Sequence, residues 1–314
     1  MAGLHLVTGA TGKTGRRVAE HLRTRGVAVR SASRSTSPGF DWADESSWGA
    51  VLDGVHAVYL APSDGSRATA AFAARAAETG VRRIVLLSAR GVATPGYFAD
   101  QEVLTPQFLD GEAGVRASGA DWTVVRPGWF MQNFDEGDFR EPVRAGRLEL
   151  PAGDGAAAWI DAEDIAAVVA TLLVDGGHVG EAIELSGPRA VSLPAAVALI
   201  AEATGRPVEY VPVSDEAYRA GAAGPGARRP DDRHRERGAQ RHPQGQRGDH
   251  HRRRAPGPRP RPGPLRGLRP PRGRRVAVST PRTARPPGGG SPGGRGRPRR
   301  TGTRRLRAAT RGTP

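Results

Sequence analysis

The sequence predicts an α/β fold, a doubly wound parallel sheet with helices on both faces, over roughly the first 220 of its 314 residues. Short apolar runs alternate there with helical patterns, which is typical of βαβ units whose strands are buried on both faces. The first apolar run ends in a glycine-rich loop that opens the first helical pattern. The composition changes near residue 220, and the alternation ends with it.

The apolar runs are short and bounded by polar or glycine residues, as the strands of a buried parallel sheet are. The predicted strands are, in order, Leu4–Val7, Val27–Ser31, Phe40–Trp42, Ala57–Leu60, Ile84–Leu87, Trp122–Val125, Ala182–Leu185 and Val208–Val213.

The helical patterns place apolar residues four apart, as at Val18 and Leu22, so that one face of each helix packs on the sheet. The third pattern is followed by Gly80, a residue type at which helices commonly end. The predicted helices are Thr14–Arg23, Ser46–Leu52, Ala70–Glu78, Phe108–Ser118, Asp164–Val174 and Leu193–Thr204. Asp161 and Asp164 stand at the start of the fifth helix, where a cap and a dipole contact explain both carboxylates better than catalysis does.

Three glycines spaced three residues apart, Gly9, Gly12 and Gly15, form the strongest local pattern of the chain. The loop lies between the first strand and the first helix, which is the position of a dinucleotide-binding loop. There the first glycine permits a tight turn, the second lets the main chain approach a pyrophosphate, and the third lets the helix pack on the strand. The free N–H groups of the helix start favour the anion. The sequence therefore predicts a Rossmann fold that binds a dinucleotide, and the alternative is a glycine-rich turn without a ligand.

The end of the second strand decides which dinucleotide is preferred. A site for NAD carries an acidic residue there, which binds the ribose 2′-hydroxyl. In this chain Ser33, Arg34 and Ser35 stand at that place, and a guanidinium suits the 2′-phosphate of NADP. We therefore expect NADP(H) to be preferred over NAD(H); the alternative is that Arg34 is only a solvated surface residue. Asp41 is placed either to reach the adenine amino group or to close a turn.

The residue inventory excludes several classes of protein. Without a cysteine, the chain has no disulfide scaffold, thiolate metal site or cysteine nucleophile. No run of 18 apolar residues is present, and the N-terminus enters a strand pattern without a signal peptide. No spacing of histidines and carboxylates suggests a metal site. We expect a cytoplasmic protein that binds neither a metal nor a membrane.

Several motifs, in order along the chain, resemble those of one known family. They are VTGATGKTGRRV, ASRS, FDW, VYLAP, LLS, SGADWTVVRPGWFMQNF and WIDAEDIA. Together they resemble the NmrA-like branch of the atypical short-chain dehydrogenases, and ASRS with FDWADESSW is similar to the subgroup of festuclavine-type ergot-alkaloid reductases. The resemblance covers residues 3–218. It implies an NAD(P)-binding domain over residues 1–220, with a small substrate subdomain whose elements fall at about residues 128–160 and 180–218.

The resemblance also implies which residues bind the cofactor. In the phosphate loop they are Gly9, Thr11, Gly12, Lys13, Thr14 and Gly15. Arg34 matches the position that binds the NADP phosphate, and Ala61 with Pro62 matches the loop beside the adenosine ribose. Ser88 ends the fifth strand near the nicotinamide, and Arg126–Phe130 matches the segment that folds over the nicotinamide side.

One departure from ordinary short-chain dehydrogenases bears on the chemistry. Those enzymes protonate the substrate with a Tyr-x-x-x-Lys pair, but Gln101 stands four residues after Tyr97, and the one lysine of the chain is Lys13 in the glycine loop. The resemblance therefore implies a hydride acceptor that needs little acid catalysis, such as a quinone or an imine. We expect an NADP(H)-binding oxidoreductase for a small-molecule electrophile. The alternative is a non-catalytic NADP-sensing regulator with a protein partner.

The substrate side of the cleft is predicted at the end of the sixth strand, at the edge where doubly wound sheets bind ligands. Trp129, Phe130 and Asn133 follow that strand, and aromatic residues with one amide suit a flat, apolar ring with one polar handle. Tyr97 is expected to cap the pocket from a loop. The alternative is that Phe130 and Phe134 are core residues. No catalytic residue is assigned from the sequence.

The last third of the chain differs in charge from the rest. Residues 1–220 carry 20 basic and 28 acidic residues, a net −8, whereas residues 221–314 carry 27 and 4, a net +23. This part is rich in Arg, Pro and Gly and has too few apolar residues to offset the entropy of ordering, so a disordered tail is predicted. Two interpretations stay open. The tail is either a nucleic-acid-binding arm or the product of a shifted reading frame, since one other frame over residues 237–261 can encode a stretch resembling the family's C-terminal motif.

Overall fold

The computed structural model describes residues 3–62, 68–94, 104–222 and 277–279. Its strands are β1 (Leu4–Thr8), β2 (Val29–Ala32), β3 (Val55–Leu60), β4 (Arg83–Leu87), β5 (Asp121–Pro127), β6 (Arg147–Leu150), β7 (Ala156–Ala157), β8 (Glu181–Ser186), β9 (Val191–Ser192), β10 (Glu209–Pro212) and β11 (Ala277–Ser279). Its helices are α1 (Gly15–Thr24), α2 (Trp48–Leu52), α3 (Thr69–Glu78), α4 (Leu104–Ala117), α5 (Arg140–Ala145), α6 (Ala162–Val174), α7 (Leu193–Thr204) and α8 (Asp215–Ala222). Among these helices, none combines the length and the apolar character that crossing a membrane takes.

Six strands form the predicted parallel sheet, in the order β2-β1-β3-β4-β5-β8, and β11 adds an antiparallel strand beside β8. The chain passes from β1 to β2 on one side and then returns to the other side of β1 with β3. The strand order therefore reverses between β1 and β3. A doubly wound sheet binds its ligand outside the carboxyl ends of the strands at such a reversal.

The strands are apolar on both sides because helices cover both faces of the sheet. On β1, Val7 packs into one core cluster and Leu6 into the other. The first cluster includes residues of α1 and α6, among them Val18 and Ile165. The second includes residues of α2, α3 and α4, among them Phe72. This sandwich fixes the carboxyl ends of the strands and the loops that follow them.

The start of α6 has the cap that the sequence predicts. The Asp161 carboxylate accepts a hydrogen bond from the main-chain N–H of Glu163 (N–Oδ1 2.9 Å) and one from the Gln132 amide (Nε2–Oδ1 2.8 Å). Gln132 in turn accepts from Ala162 N (2.7 Å). Asp161 is thus a structural residue, which joins α6 to the segment that follows β5.

The chain divides into two compact units. The first comprises residues 1–136, 157–191 and 270–314 and contains the sheet. The second comprises residues 137–156 and 192–269, and its described part holds α5, α7, α8 and the parallel pair β6 and β10. Within the second unit, Glu209 N donates to Gly146 O (2.9 Å), and the Tyr210 hydroxyl donates to Leu150 O (3.0 Å). The sequence predicts β10 but gives no sign of β6, its partner.

The predicted strand Phe40–Trp42 is wrong. Asp41 closes a turn there, because its carboxylate accepts a hydrogen bond from Ala43 N (N–Oδ1 3.0 Å). The aromatic rings on either side of Asp41 pack edge-on against Phe72 of α3, with centroids 5.3 and 5.4 Å away. The apolar pattern in this segment therefore reflects burial under a helix and not pairing with a strand.

The predicted disordered tail, residues 221–314, lies outside the described residues except at two places. Helix α8 ends at Ala222, and Ala277–Ser279 pairs with Glu184–Ser186 as β11. Main-chain pairing at the exposed edge of the sheet gives those three residues a structure that their composition does not indicate. The two interpretations of the tail remain predictions.

Candidate functional site

The glycine loop follows β1 and has the geometry that its spacing predicts. Gly9 has a φ of +59°, a conformation that side chains disfavour, and its carbonyl accepts a hydrogen bond from Gly12 N (2.8 Å). A Cβ on Gly15 would lie 2.2 Å from Gly9 O, so only glycine lets α1 approach the turn this closely. A Cβ on Gly12 would lie 3.1 Å from the same oxygen, and Gly12 itself is exposed. The loop thus offers a pyrophosphate an open main-chain surface at a helix N-terminus.

A chain of hydrogen bonds fixes the glycine loop to β3. The Thr8 hydroxyl donates to Tyr59 O (3.1 Å) and accepts from Ala61 N (2.8 Å), and the Tyr59 hydroxyl donates to Thr14 Oγ1 (2.9 Å). Burial of the ring raises the pKa of Tyr59. The Thr14 side chain is buried, so its hydroxyl serves the core and only its main chain is left to meet a cofactor. Ala61 lies beside the glycine loop, since a Cβ on Gly9 would be 3.1 Å from its methyl group, and its place beside the ribose stays a prediction.

Lys13 joins the glycine loop to the segment after β5. Its ammonium donates to the Asn133 carboxamide (Nζ–Oδ1 2.8 Å), across 120 positions of sequence. A residue predicted for the cofactor and a residue predicted for the substrate are therefore in direct contact. Thr11, at the tip of the loop, is exposed.

The same segment is fixed to α1 by Glu136. Its carboxylate pairs with Arg17 (Nη2–Oε1 2.7 Å) and with Arg16 (Nη2–Oε1 2.5 Å). Burial opposes ionisation of Glu136, but the hydrogen bonds from the two arginines outweigh it and lower its pKa to about 2. The carboxylate is therefore charged over the whole range in which enzymes work, and α1 holds the segment in place.

The end of β2 presents an open cationic surface. Ser33 and Ser35 bond to each other through their hydroxyls (3.1 Å), and Arg34 between them is exposed. Within the described residues no side chain pairs with the Arg34 guanidinium. The Asp41 carboxylate, in contrast, already has a partner, because it accepts a hydrogen bond from Ala43 N in the turn.

Ser88 and the end of β5 meet in a buried cluster of charges. The Ser88 hydroxyl donates to the Glu112 carboxylate on α4 (Oγ–Oε1 2.7 Å), which Arg126 also binds (Nε–Oε1 2.8 Å). Glu112 is fully buried. Burial opposes its ionisation, but the hydrogen bonds from Arg126 and Ser88 outweigh burial and lower the pKa of Glu112. The Ser88 side chain is thus bound to Glu112, and the place of Ser88 near the nicotinamide stays a prediction.

An aromatic wall stands at the carboxyl end of β5. Trp129 is 47% exposed, and its ring lies 6.0 Å from that of Trp159, which is buried and donates to Val191 O (Nε1–O 2.9 Å). The Phe134 ring lies 5.0 Å from that of Trp159 and is buried. Phe130 packs against the core while keeping part of its surface exposed. We define these residues, Trp129, Trp159 and Phe134, as the aromatic wall.

The match to a known protein family begins in the glycine loop. The family described as NAD(P)H-binding matches residues 9–176, which is more than half of the chain. The chain belongs to the NAD(P)H-binding family. Its relatives include festuclavine synthases and an agroclavine dehydrogenase, in keeping with the resemblance of its motifs.

Several relatives of this NAD(P)H-binding protein are named as reductases or oxidoreductases. It is 34% identical to the (4-alkanoyl-5-oxo-2,5-dihydrofuran-3-yl)methyl phosphate reductase of Streptomyces griseus, over 68% of this chain and 78% of the reductase. It is 30% identical to a festuclavine synthase of Penicillium roqueforti, over 60% and 69% of the two chains. An NADPH-dependent quinone oxidoreductase of Escherichia coli, solved with NADPH, shares its fold with a TM-score of 0.59 and 23% identity, over 71% and 83%. The protein is therefore an NAD(P)H-dependent oxidoreductase by family.

The described residues of this NAD(P)H-binding protein fit a dinucleotide cofactor. The open glycine cradle fits a pyrophosphate, Pro62 follows Ala61 beside the loop, and Arg34 extends from β2. Tyr97 lies outside the described residues. The sequence analysis missed Trp159, Glu136 and Glu112. One signal for Glu112 was available, because it lies three positions before the core residue Val115 and therefore on the same face of α4.

Proposed function

We propose that this protein is an NADPH-preferring reductase of flat, conjugated electrophiles such as quinones and imines, and that it works without a Tyr-Lys pair. The observation that carries the proposal is that Trp129, just after the carboxyl end of β5, is 47% exposed while its ring lies 6.0 Å from the buried ring of Trp159. Exposed aromatic surface beside a cofactor loop is what a flat ring binds by stacking.

The preference for NADPH is supported by Arg34. Its guanidinium is exposed and without a partner among the described side chains, and no acidic residue stands at the end of β2. A 2′-phosphate offers a guanidinium two oxygens for a forked, charge-assisted contact. The 2′-hydroxyl of NADH offers no charge.

The names of the relatives support an electrophilic, conjugated substrate. They include a quinone oxidoreductase of known fold, a reductase of a dihydrofuranone phosphate and a festuclavine synthase. The aromatic wall is compatible with such rings. Lys13 and Asn133 lie where the glycine loop meets the segment that carries Trp129, so they would bound the ring on its polar side.

In this proposal the residues of the chain bind and orient the cofactor and the acceptor, and none of them acts as an acid. A bound reduced nicotinamide supplies the hydride. The glycine loop would hold the pyrophosphate by main-chain N–H groups, and Arg34 the 2′-phosphate. The aromatic wall would hold the acceptor and exclude water from one face. The one lysine lies in the loop, so the proton that completes the product would come from water.

The test is NADPH oxidation with a panel of quinones and imines, in the wild type and in Trp129→Leu. The variant should raise the KM of a quinone about tenfold, as lost stacking of one ring does, and leave the Kd of NADPH unchanged. Trp122→Leu is the matched control, because Trp122 lies at the opposite end of β5. NADPH binding without turnover of any acceptor would instead favour the regulator that senses NADP. Equal KM values in the two variants would remove the aromatic wall from the substrate site.

A further inference from the structure

A row of alternating charges runs from the core to the carboxyl edge of the sheet. Its members are Glu112 on α4, Arg126 on β5, Glu184 on β8 and Arg90 after β4. The exposed fraction of the side chain rises along the row, from 0% and 9% for the first two to 25% and 42% for the last two. We call these four residues the charged row. It starts at a carboxylate in the core and ends at a guanidinium on the edge.

The members of the charged row form two ion pairs. Arg126 binds Glu112 through two nitrogens, with Nε–Oε1 at 2.8 Å. Arg126 and Glu184 are opposite each other in the register of β5 and β8. The hydrogen bond to Glu112 raises the pKa of Arg126 most, and the charge of Glu184 adds to this. Arg90 pairs with Glu184 (Nε–Oε2 3.3 Å). Each arginine is thus paired with a carboxylate, and the register of the sheet places the two pairs on neighbouring strands.

The main chain also holds Arg90 in place. Past the end of β4, Ser88 N donates to Val125 O (2.8 Å) and Arg90 N donates to Pro127 O (2.9 Å), so the pairing of β4 with β5 continues to Arg90. Val92, two residues later, is buried. Arg90 therefore stands beside the strand end that leads into Trp129.

We propose that Arg90 is a catalytic residue that binds the substrate oxygen on which negative charge develops during reduction, and that it takes the place of the absent acid. The proposal rests on the reductase function proposed above and sharpens its substrate class. Transfer of a hydride to a neutral quinone gives NADP⁺ and the monoanion of the hydroquinone, and a proton from water completes the product. A guanidinium stays protonated at every working pH, so it contributes charge and hydrogen bonds and gives up no proton.

The substrate class follows from the sign of the charge change. A neutral quinone becomes an anion when it accepts a hydride, and a fixed cation at that oxygen stabilises the charge that develops. An iminium cation becomes neutral in the same step, so no negative charge develops for Arg90 to stabilise. The charged row therefore selects neutral acceptors whose reduction leaves an oxyanion.

The first experiment compares wild type, Arg90→Gln and Arg90→Lys with benzoquinone and with a preformed iminium salt. Arg90→Gln should lower kcat/KM for the quinone by about 10- to 100-fold, below the largest effects seen for buried donors because Arg90 is half-exposed. The kcat/KM of Arg90→Lys for the quinone should lie between those of the wild type and Arg90→Gln, since lysine keeps the charge but lacks the two parallel N–H donors of a guanidinium. The iminium salt should be reduced at the wild-type rate by all three. Arg75→Gln is the matched control, because Arg75 also pairs with a glutamate at 3.3 Å, on the surface of α3.

The second experiment needs no cofactor and no turnover. The quenching of tryptophan fluorescence gives the Kd of 2,4-dinitrophenolate, an aromatic oxyanion, and of neutral 1,3-dinitrobenzene. Arg90→Gln should weaken the phenolate about tenfold and leave dinitrobenzene within a factor of two. Equal phenolate binding and equal quinone turnover in the wild type and Arg90→Gln would overturn the proposal. If the wild type reduces neither acceptor, the reductase function fails, and the phenolate titration alone decides whether Arg90 binds oxyanions.

Discussion

The glycine loop and the charged row both lie at the carboxyl edge of the sheet, yet they are built in opposite ways. The loop consists of neighbouring residues and works through the main chain, because side chains are missing at Gly9, Gly12 and Gly15. The charged row consists of side chains from four separate segments and works through their contacts. A site made of missing side chains can be read from one short stretch of sequence. A site made of distant side chains exists only after the chain has folded.

The charged row should respond to one lost charge with the largest change in stability. Glu112→Gln removes the buried carboxylate that pairs with both Arg126 and Arg116, so the free energy of unfolding should fall by about 3 kcal/mol. Chemical denaturation measures it. Glu141→Gln is the control, because that carboxylate is 73% exposed on α5 and should change little. An unchanged denaturation midpoint in Glu112→Gln would show that the row is not a structural unit.

The same variant tests the pH dependence. The pKa of Glu112 is lowered in the folded protein, so its contribution to stability is present above the ordinary pKa of 4.5 and is lost as the pH falls through the folded value. Wild-type stability should therefore drop on acidification below about pH 4.5, and Glu112→Gln should drop less. Parallel curves for both proteins would contradict this account.

The glycine loop should respond to an added side chain with a loss of binding and not of fold. In Gly12→Val the Cβ would lie 3.1 Å from Gly9 O, and the rest of the side chain would occupy the place of the pyrophosphate. The Kd for NADPH should rise more than 100-fold, about 2.7 kcal/mol, with native circular dichroism. Gly49→Val, on α2 with open space around it, is the control. Native affinity in Gly12→Val would mean that the loop is only a turn.

The sequence predicts those parts of the fold that depend on local pattern. The six parallel strands, α1, α3 and α7 follow from periodicity and glycines, and α7 has its predicted bounds of Leu193 and Thr204. The strand at Phe40–Trp42 fails because an apolar pair can be buried by a helix as well as by a strand. The Lys13–Asn133 contact spans 120 positions and follows from no pattern. Side-chain partners are set by packing, which a single sequence does not display.

Arg34 should give a smaller effect, limited to one cofactor. Arg34→Ala removes one charge-assisted contact to the 2′-phosphate, so the Kd for NADPH should rise about tenfold and that for NADH should not change. Arg82→Ala is the control, because Arg82 is exposed and precedes β4. Isothermal titration of both cofactors measures the four constants. Equal preference for the two cofactors in the wild type would place Arg34 outside the site.

Of the four residues substituted in these predictions, Tyr59 should give the smallest effect. Tyr59→Phe removes the hydrogen bond to Thr14 and leaves the ring in the core, so the free energy of unfolding should fall by about 1 kcal/mol. The Kd for NADPH should stay within a factor of two, because the main chain of the loop is unchanged. Denaturation and titration of the same sample measure both. A large loss of affinity would show that the loop depends on side chains after all.

The single lysine of the chain makes the glycine loop addressable by chemistry. Apart from the α-amino group, Lys13 is the only primary amine, and its ammonium lies half-buried against Asn133. An amine-selective reagent would therefore attach one label at the place where the loop meets the segment after β5. The extent of labelling, read by mass spectrometry with and without NADPH, would report occupancy of the loop directly, without a substrate and without background from other lysines.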